Sequence, residues 1–262
     1  MFIIGELING MYQEIGKAIK EKNKFVIQQC ALTQLKAGAD ALDINCGPAS
    51  ANPLSDIQWL VESVQEVTDK PLAIDSSKPQ VIEAGLKAVK GEAIINSTTA
   101  DKEKLDVLIP LAKKYNSKLI GLTISQKGIP FNKDQRMELA AAIVVECADK
   151  GFPMDNLYLD PILLPINVAQ AQMKDILESI RDFKIISEPA PKAIVGLSNV
   201  SQGTCERKLV NRIFLTMAIP FGLDAAILDP TDSDLMDASI TTEVILNKHI
   251  YCDSFLDAYR KK

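Results

Sequence analysis

Short, continuously apolar runs alternate with longer amphipathic segments from one end of the chain to the other. The runs fall at residues 2–8, 41–45, 72–75, 93–96, 119–123, 157–160, 193–197 and 225–228. Each is too short for a helix and too uniformly apolar for a strand with one wet face. They predict parallel strands covered on both sides. Between them the apolar spacing predicts helices over 25–37, 54–68, 79–89, 102–115, 133–150, 168–181, 209–221 and 232–247. Glycine follows three of these at 38, 151 and 222, where it relieves the left-handed position that ends a helix. Pro79 suits a first helical turn, and Ser55 or Asp101 is placed to cap. Strict strand–helix alternation implies right-handed crossovers. Eight such units close a barrel of roughly 250 residues. The 262 residues therefore predict one TIM-type (β/α)₈ barrel, a single domain over 1–262. An open doubly wound sheet is the alternative. Against it, neither G-x-G-x-x-G nor G-x-x-x-x-G-K-[ST] occurs, so the phosphate loops common on open sheets are missing.

Composition narrows the function classes. A net charge of −5 with no basic block argues against nucleic acid or an anionic membrane as partner. Cys30, Cys46, Cys147, Cys205 and Cys252 form no C-x-x-C pair and are odd in number. Reduced thiols are expected, not a disulfide framework or a zinc site. No apolar stretch reaches the roughly 18 residues a membrane span needs. No basic n-region precedes Met1-Phe2-Ile3-Ile4. A cytoplasmic enzyme that binds no metal is the expectation.

Candidate chemistry sits at the strand ends. The first closes with Ile8-Asn9-Gly10 and the second with Asp43-Ile44-Asn45-Cys46-Gly47. The third ends in Ile74-Asp75-Ser76-Ser77 and the fourth in Ile95-Asn96-Ser97-Thr98. The sixth gives Leu159-Asp160-Pro161, the seventh Gly196-Leu197-Ser198-Asn199 and the eighth Leu228-Asp229-Pro230. A lone Asp or Asn here more often starts a loop or caps the next helix. Seven of eight ends carrying one is harder to explain that way. In a barrel these ends share one rim, where active sites of the fold lie. A ring rich in Asp and Asn and poor in cations suits a ligand with N–H donors on its edge. A pterin is such a ligand, because one carboxylate can accept from its 2-amino group and N3–H side by side.

The run Pro71-Leu72-Ala73-Ile74-Asp75-Ser76-Ser77-Lys78-Pro79 resembles the third-strand motif of the pterin-binding barrel family. That family includes dihydropteroate synthase and the folate domain of cobalamin-dependent methionine synthase. Ile94-Ile95-Asn96-Ser97, Tyr158-Leu159-Asp160-Pro161 and Gly196-Leu197-Ser198-Asn199-Val200-Ser201 resemble its fourth, sixth and seventh motifs, in order and across nearly the whole chain. Within the family the chain resembles most the methyltetrahydrofolate:corrinoid/iron–sulfur protein methyltransferases of the acetyl-CoA (Wood–Ljungdahl) pathway. Gly5-Glu6-Leu7-Ile8-Asn9-Gly10-Met11, Leu197 to Gln202 and Tyr251-Cys252-Asp253-Ser254-Phe255 carry that likeness. Dihydropteroate synthases place basic residues after the seventh strand and Arg-x-His at the eighth. Here those places hold Asn199-Val200 and Leu228-Asp229-Pro230.

The resemblance implies transfer of the N5-methyl group of methyltetrahydrofolate to a cobalamin carried by a separate corrinoid/iron–sulfur protein, and a homodimer. It implies that Asp75, Asn96 and Asp160 hold the pterin ring, and that Gly196 and Ser198 line the pocket. Gln202 and Arg207 follow in the loop after the seventh strand as further substrate-binding candidates, with Arg207 expected beside the aminobenzoyl-glutamate arm of the folate. Asn199 is expected to carry catalysis, with Asp75 and Asp160. The methyl leaves a tertiary amine, which departs poorly until N5 is charged. An amide can donate to neutral N5 or accept from N5–H⁺ by turning over. No His, Lys or Cys lies in a motif for a general acid, so solvent is expected to supply the proton. His249 is expected to be structural. Competing readings are a methyltransferase serving another corrinoid (demethylase) system, a dihydropteroate synthase and a non-enzymatic folate-binding barrel.

Overall fold

In the computed structural model, which describes residues 1–47 and 50–260, the apolar runs become eight parallel strands. They are β1 (Phe2–Asn9), β2 (Ala41–Asn45), β3 (Leu72–Asp75), β4 (Ala93–Thr99), β5 (Lys118–Leu122), β6 (Leu157–Asp160), β7 (Lys192–Gly196) and β8 (Ala225–Leu228). Each pairs with the next and β8 returns to β1, which closes the barrel. Of the expected 1–262 domain, residues 48, 49, 261 and 262 lie outside the described residues.

Helices wrap the outside: α1 (Gln13–Glu21), α2 (Lys24–Lys36), α3 (Pro53–Gln65), α4 (Pro79–Ala88), α5 (Lys102–Lys114), α6 (Lys133–Asp149), α7 (Ile166–Ala169), α8 (Met173–Asp182), α9 (Arg207–Ala218), α10 (Ser233–Ile245) and α11 (Phe255–Arg260). Helices α1 and α11 are additions to the pattern read from sequence. The helix expected over 168–181 is broken into α7, a 3₁₀ turn and α8. The caps also differ. Asn52, not Ser55, accepts from the N–H of Ser55 at the start of α3. Asp101 stands before α5 but spends its carboxylate on the Gln126 N–H and the Thr99 hydroxyl instead. Gly38, Gly151 and Gly222 do stop their helices, with φ of 103°, 61° and 101°. No helix among the described residues is long and apolar enough to cross a membrane.

Inside the barrel one residue from each strand builds an apolar layer: Ile4, Ala41, Ala73, Ile94, Ile120, Tyr158, Ile194 and Ala225. Below it Phe2 joins the layer, and the Lys118 and Lys192 ammonium groups lie 5.3 Å from the ring centroids of Phe2 and Tyr158. The N-terminal end is thereby floored with aromatic rings and cations. Two residues further along each strand the chain again points inward, now toward the C-terminal mouth.

Strand β1 reaches that mouth through an irregularity. Its register against β2 shifts between Gly5 and Ile8. Gln34 of α2, fully buried, fills the gap, and its Oε1 accepts from the Leu7 N–H at 2.9 Å. A Cβ on Gly5 would lie 2.4 Å from that oxygen, so glycine is needed there. Such bulges occur near functional sites, and this one spans Glu6. Gln34→Leu keeps the volume and removes the acceptor. It should destabilise the barrel by about 1–3 kcal/mol, a fall in thermal midpoint of roughly 3–10 °C for a domain of this size. An unchanged melt would show that the Leu7 N–H finds another partner.

Candidate active site

Counting two residues on from the apolar layer brings Glu6, Asp43, Asp75, Asn96, Leu122, Asp160, Gly196 and Ile227 to the mouth, one from each strand. Asp75 pairs in register with Asn96 across β3 and β4, and Asp160 lies opposite Leu122 across β5 and β6. The expected residues Asp75, Asn96, Asp160 and Gly196 thus share one ring. Glu6 and Asp43 belong to it without having been singled out, and Asn45 joins them through its hydrogen bond to Asp75.

The polar groups are wired in pairs. Asn96 Nδ2 donates to Asp43 Oδ1 at 2.9 Å, and Asn45 Nδ2 donates to Asp75 Oδ2 at 2.6 Å. Asn45 Oδ1 accepts from the Gly47 N–H at 2.7 Å, which fixes its amide orientation. On the far side the Ile162 N–H donates to Asp160 Oδ1 at 2.7 Å. Ser198 donates its hydroxyl to Glu6 Oε1 at 2.6 Å. Asn96 Oδ1 and Asp75 Oδ1 are left without a hydrogen-bond partner among the described residues, acceptors available to a ligand.

Asn199 ends the 3₁₀ turn Leu197–Asn199 that follows β7. A Cβ on Gly196 would lie 3.0 Å from Asn199 Nδ2. The missing side chain of Gly196 points into the barrel, so the Asn199 amide occupies that space at the edge of the mouth. It is exposed and makes no side-chain hydrogen bond among the described residues. Arg207, first residue of α9, ties the turn down: its Nε donates to Ser201 Oγ at 3.3 Å and its Nη2 to the Ser198 carbonyl at 3.4 Å. Gln202 lies exposed beside it. His249 is outside this ring, 3.4 Å from Glu243, with its ring tilted against Tyr259 at 4.9 Å between centroids.

Burial sets the electrostatics. Asp43 is 3% exposed and Asp160 8% exposed. Desolvation raises Asp43 well above the usual carboxylate range, and the charge of Asp75 adds to it while the Asn96 hydrogen bond opposes. Burial also raises Asp75, against the pull of Asn45. It raises Glu6, opposed by the Ser198 hydrogen bond and reinforced by Asp229. Burial pushes Asp160 up to about 6, with N–H donors of Ile162 and Gly196 holding it down. Among the described residues no lysine or arginine is paired with Asp43 or Asp75, and burial favours the protonated form of both. Among the described residues no cluster of His, Cys, Asp or Glu is grouped to hold a metal ion.

A ring of desolvated acids opposes folding until something donates to it. Asp160 takes up its proton more readily folded than unfolded, so its contribution is favourable below about pH 4 and is lost as pH rises through about 6. At neutral pH the penalty is on the order of 3 kcal/mol. Asp160→Asn should therefore raise the thermal midpoint of the ligand-free protein at pH 8 by several degrees. The difference should close near pH 4. A lower midpoint at pH 8 would mean that the charge is compensated by contacts and not penalised by burial.

The comparisons with known proteins agree with this architecture. The model of the family described as pterin binding enzyme matches residues 16–229. A methylcorrinoid:tetrahydrofolate methyltransferase of Eubacterium limosum is 32% identical, over all of this chain and 97% of that protein. A methionine synthase of Mycobacterium leprae is 25% identical over 77% of this chain, but the match spans 18% of the longer enzyme. Among solved structures, a dihydropteroate synthase of Yersinia pestis superposes with a TM-score of 0.70 at 16% identity, covering 95% of this chain and 94% of the other. At that identity the likeness shows the barrel fold alone. The chain belongs to the pterin-binding enzyme family.

Proposed function

We propose that this chain is a methyltransferase that moves a methyl group between N5 of tetrahydrofolate and a corrinoid carried by a separate protein. The observation that carries the reading is the acceptor set in the mouth. Asp160 or Asp75 accepts from the 2-amino group and N3–H of the pterin. Asn96, whose Nδ2 is committed to Asp43, turns its carbonyl to a ring N–H. The whole-length likeness to the Eubacterium limosum methyltransferase supports the same chemistry.

In this reading the chain's residues bind, orient and stabilise charge. The buried carboxylates become less costly when the pterin donates to them, so ring binding and relief of the acidic ring are one event. Asn199, whose side chain makes no hydrogen bond among the described residues, donates to neutral N5 and turns over to accept from N5–H⁺, with the proton drawn from solvent. Gly196 leaves the room this rotation needs. Ser198 shapes the wall, since its hydroxyl is committed to Glu6. Gln202 and Arg207 lie where the folate arm leaves the mouth. The corrinoid supplies the cobalt that gives or receives the methyl group.

For the partner we propose a corrinoid/iron–sulfur protein. A second reading has a specific observation in its favour: the Eubacterium limosum relative's name puts a methylcorrinoid on one side and tetrahydrofolate on the other. That fits a demethylase system in which tetrahydrofolate is methylated. Assays with both kinds of corrinoid protein, in both directions, separate the two.

The chemistry is tested by rapid mixing of the protein, methyltetrahydrofolate and cob(I)alamin. Asn199→Ala should slow methyl transfer by roughly ten- to a thousandfold while folate affinity changes little. An unchanged rate would remove Asn199 from the mechanism. No transfer by the unaltered protein to any corrinoid, with tight folate binding, would favour a binding barrel.

A homodimer is proposed through α9, where Leu209, Ile213 and Met217 are about half exposed at helical spacing on one face. Ile213→Glu should then yield monomers in sedimentation velocity. A dimer that persists would place the contact elsewhere.

A further inference from the structure

Arg136 of α6 is fully buried, yet it forms no ion pair with a carboxylate among the described residues. Its Nε donates to the Pro161 carbonyl at 2.8 Å and its Nη2 to Gln172 Oε1 at 2.7 Å. Its Nη1 is buried with no hydrogen-bond partner among the described residues. Asp175, whose charge favours the guanidinium, spends an oxygen on the Lys133 N–H at 3.2 Å. A buried cation without an ion pair is costly and is kept where geometry requires it.

The two acceptors bracket the excursion between β6 and α8, residues 161–172. At its start Ile162 takes φ 62°, a left-handed conformation that a β-branched residue disfavours. The Ile162 N–H, which shares one peptide plane with the Pro161 carbonyl, donates to Asp160 Oδ1. Further along, the Ile166 N–H donates to the Val200 carbonyl at 2.8 Å and Asn167 Nδ2 to the Gly203 carbonyl at 3.4 Å. These bonds tie the excursion to the turn that bears Ser198 and Asn199. A strained residue persists only where its surroundings over-determine it. The planar guanidinium, with donors in fixed directions, does this by holding the carbonyl immediately before Ile162.

We propose that Arg136 is a positioning residue whose guanidinium clasps both ends of segment 161–172, and thereby fixes the Asp160 carboxylate and the turn that carries Asn199. The clasp deepens the folate reading above and rests on it for its consequence in binding. Its geometric core, the link from Arg136 to the Ile162 N–H, is a property of the ligand-free protein.

Arg136→Lys keeps the charge and stem but offers one head to two acceptors. In the ligand-free variant, hydrogen exchange of a peptide spanning 161–172 should quicken by about tenfold or more, while peptides of β1 to β4 keep their protection. The Kd for methyltetrahydrofolate should rise by roughly ten- to a hundredfold. Gln172→Ala removes one acceptor at a half-buried position. It should give a smaller change in the same direction, and it decides the matter if Arg136→Lys does not fold. Unchanged exchange over 161–172 in the folded variants overturns the proposal. So does uniformly faster exchange across the barrel in Arg136→Lys with none in Gln172→Ala, which marks a purely structural cation. If the unaltered protein does not bind methyltetrahydrofolate, the folate reading fails, and the exchange measurements alone judge the clasp.

Discussion

A closed ring of strands has an interior, and every second side chain must point into it. That constraint organises this molecule. Lower in the barrel the inward positions are apolar and the layer packs like any core. One step higher the same parity delivers Glu6, Asp43, Asp75, Asn96 and Asp160 to a space too narrow to hydrate them all. The strands could not offer these groups to solvent without turning the Ile4–Ala41–Ala73–Ile94 layer outward as well. The polar mouth and the packing below it are therefore set by one register.

The acidic ring is where stability is given up. Desolvation raises its acids together, so the cost is shared across β1, β2, β3 and β6. The amides of Asn45 and Asn96 offset part of it by donating to the Asp75 and Asp43 carboxylates. What remains is a desolvation cost that further hydrogen-bond donors at the mouth offset.

How much of this could be read from the chain depended on whether a residue's signal was local. Asp75, Asn96 and Asp160 end apolar runs, and the runs themselves set their direction. Asp43 lies within such a run, and only the closed barrel tells that it faces inward and not toward α3. Glu6 likewise lies within a run, two residues on from the inward Ile4, and only the closed barrel shows that it too faces the mouth. Helix α1 escaped notice although Ile15, Ala18 and Ile19 stand at helical spacing, because its 9 residues sit between β1 and a second helix, where a pattern of one helix per strand leaves room only for a loop. The expected sixth helix failed at its start, where the chain first makes a short turn of its own. Arg136 gave no sign at all. On a helix rich in charged residues it looks like a solvated cation, and its burial is decided by where a loop two elements later comes to rest.

The rings of Phe2 and Tyr158, with lysines set against them, block one end of the barrel. A vessel stoppered at the bottom has a single doorway. Two molecules that meet inside must queue for it, and whichever lies deeper has to come in first and go out last.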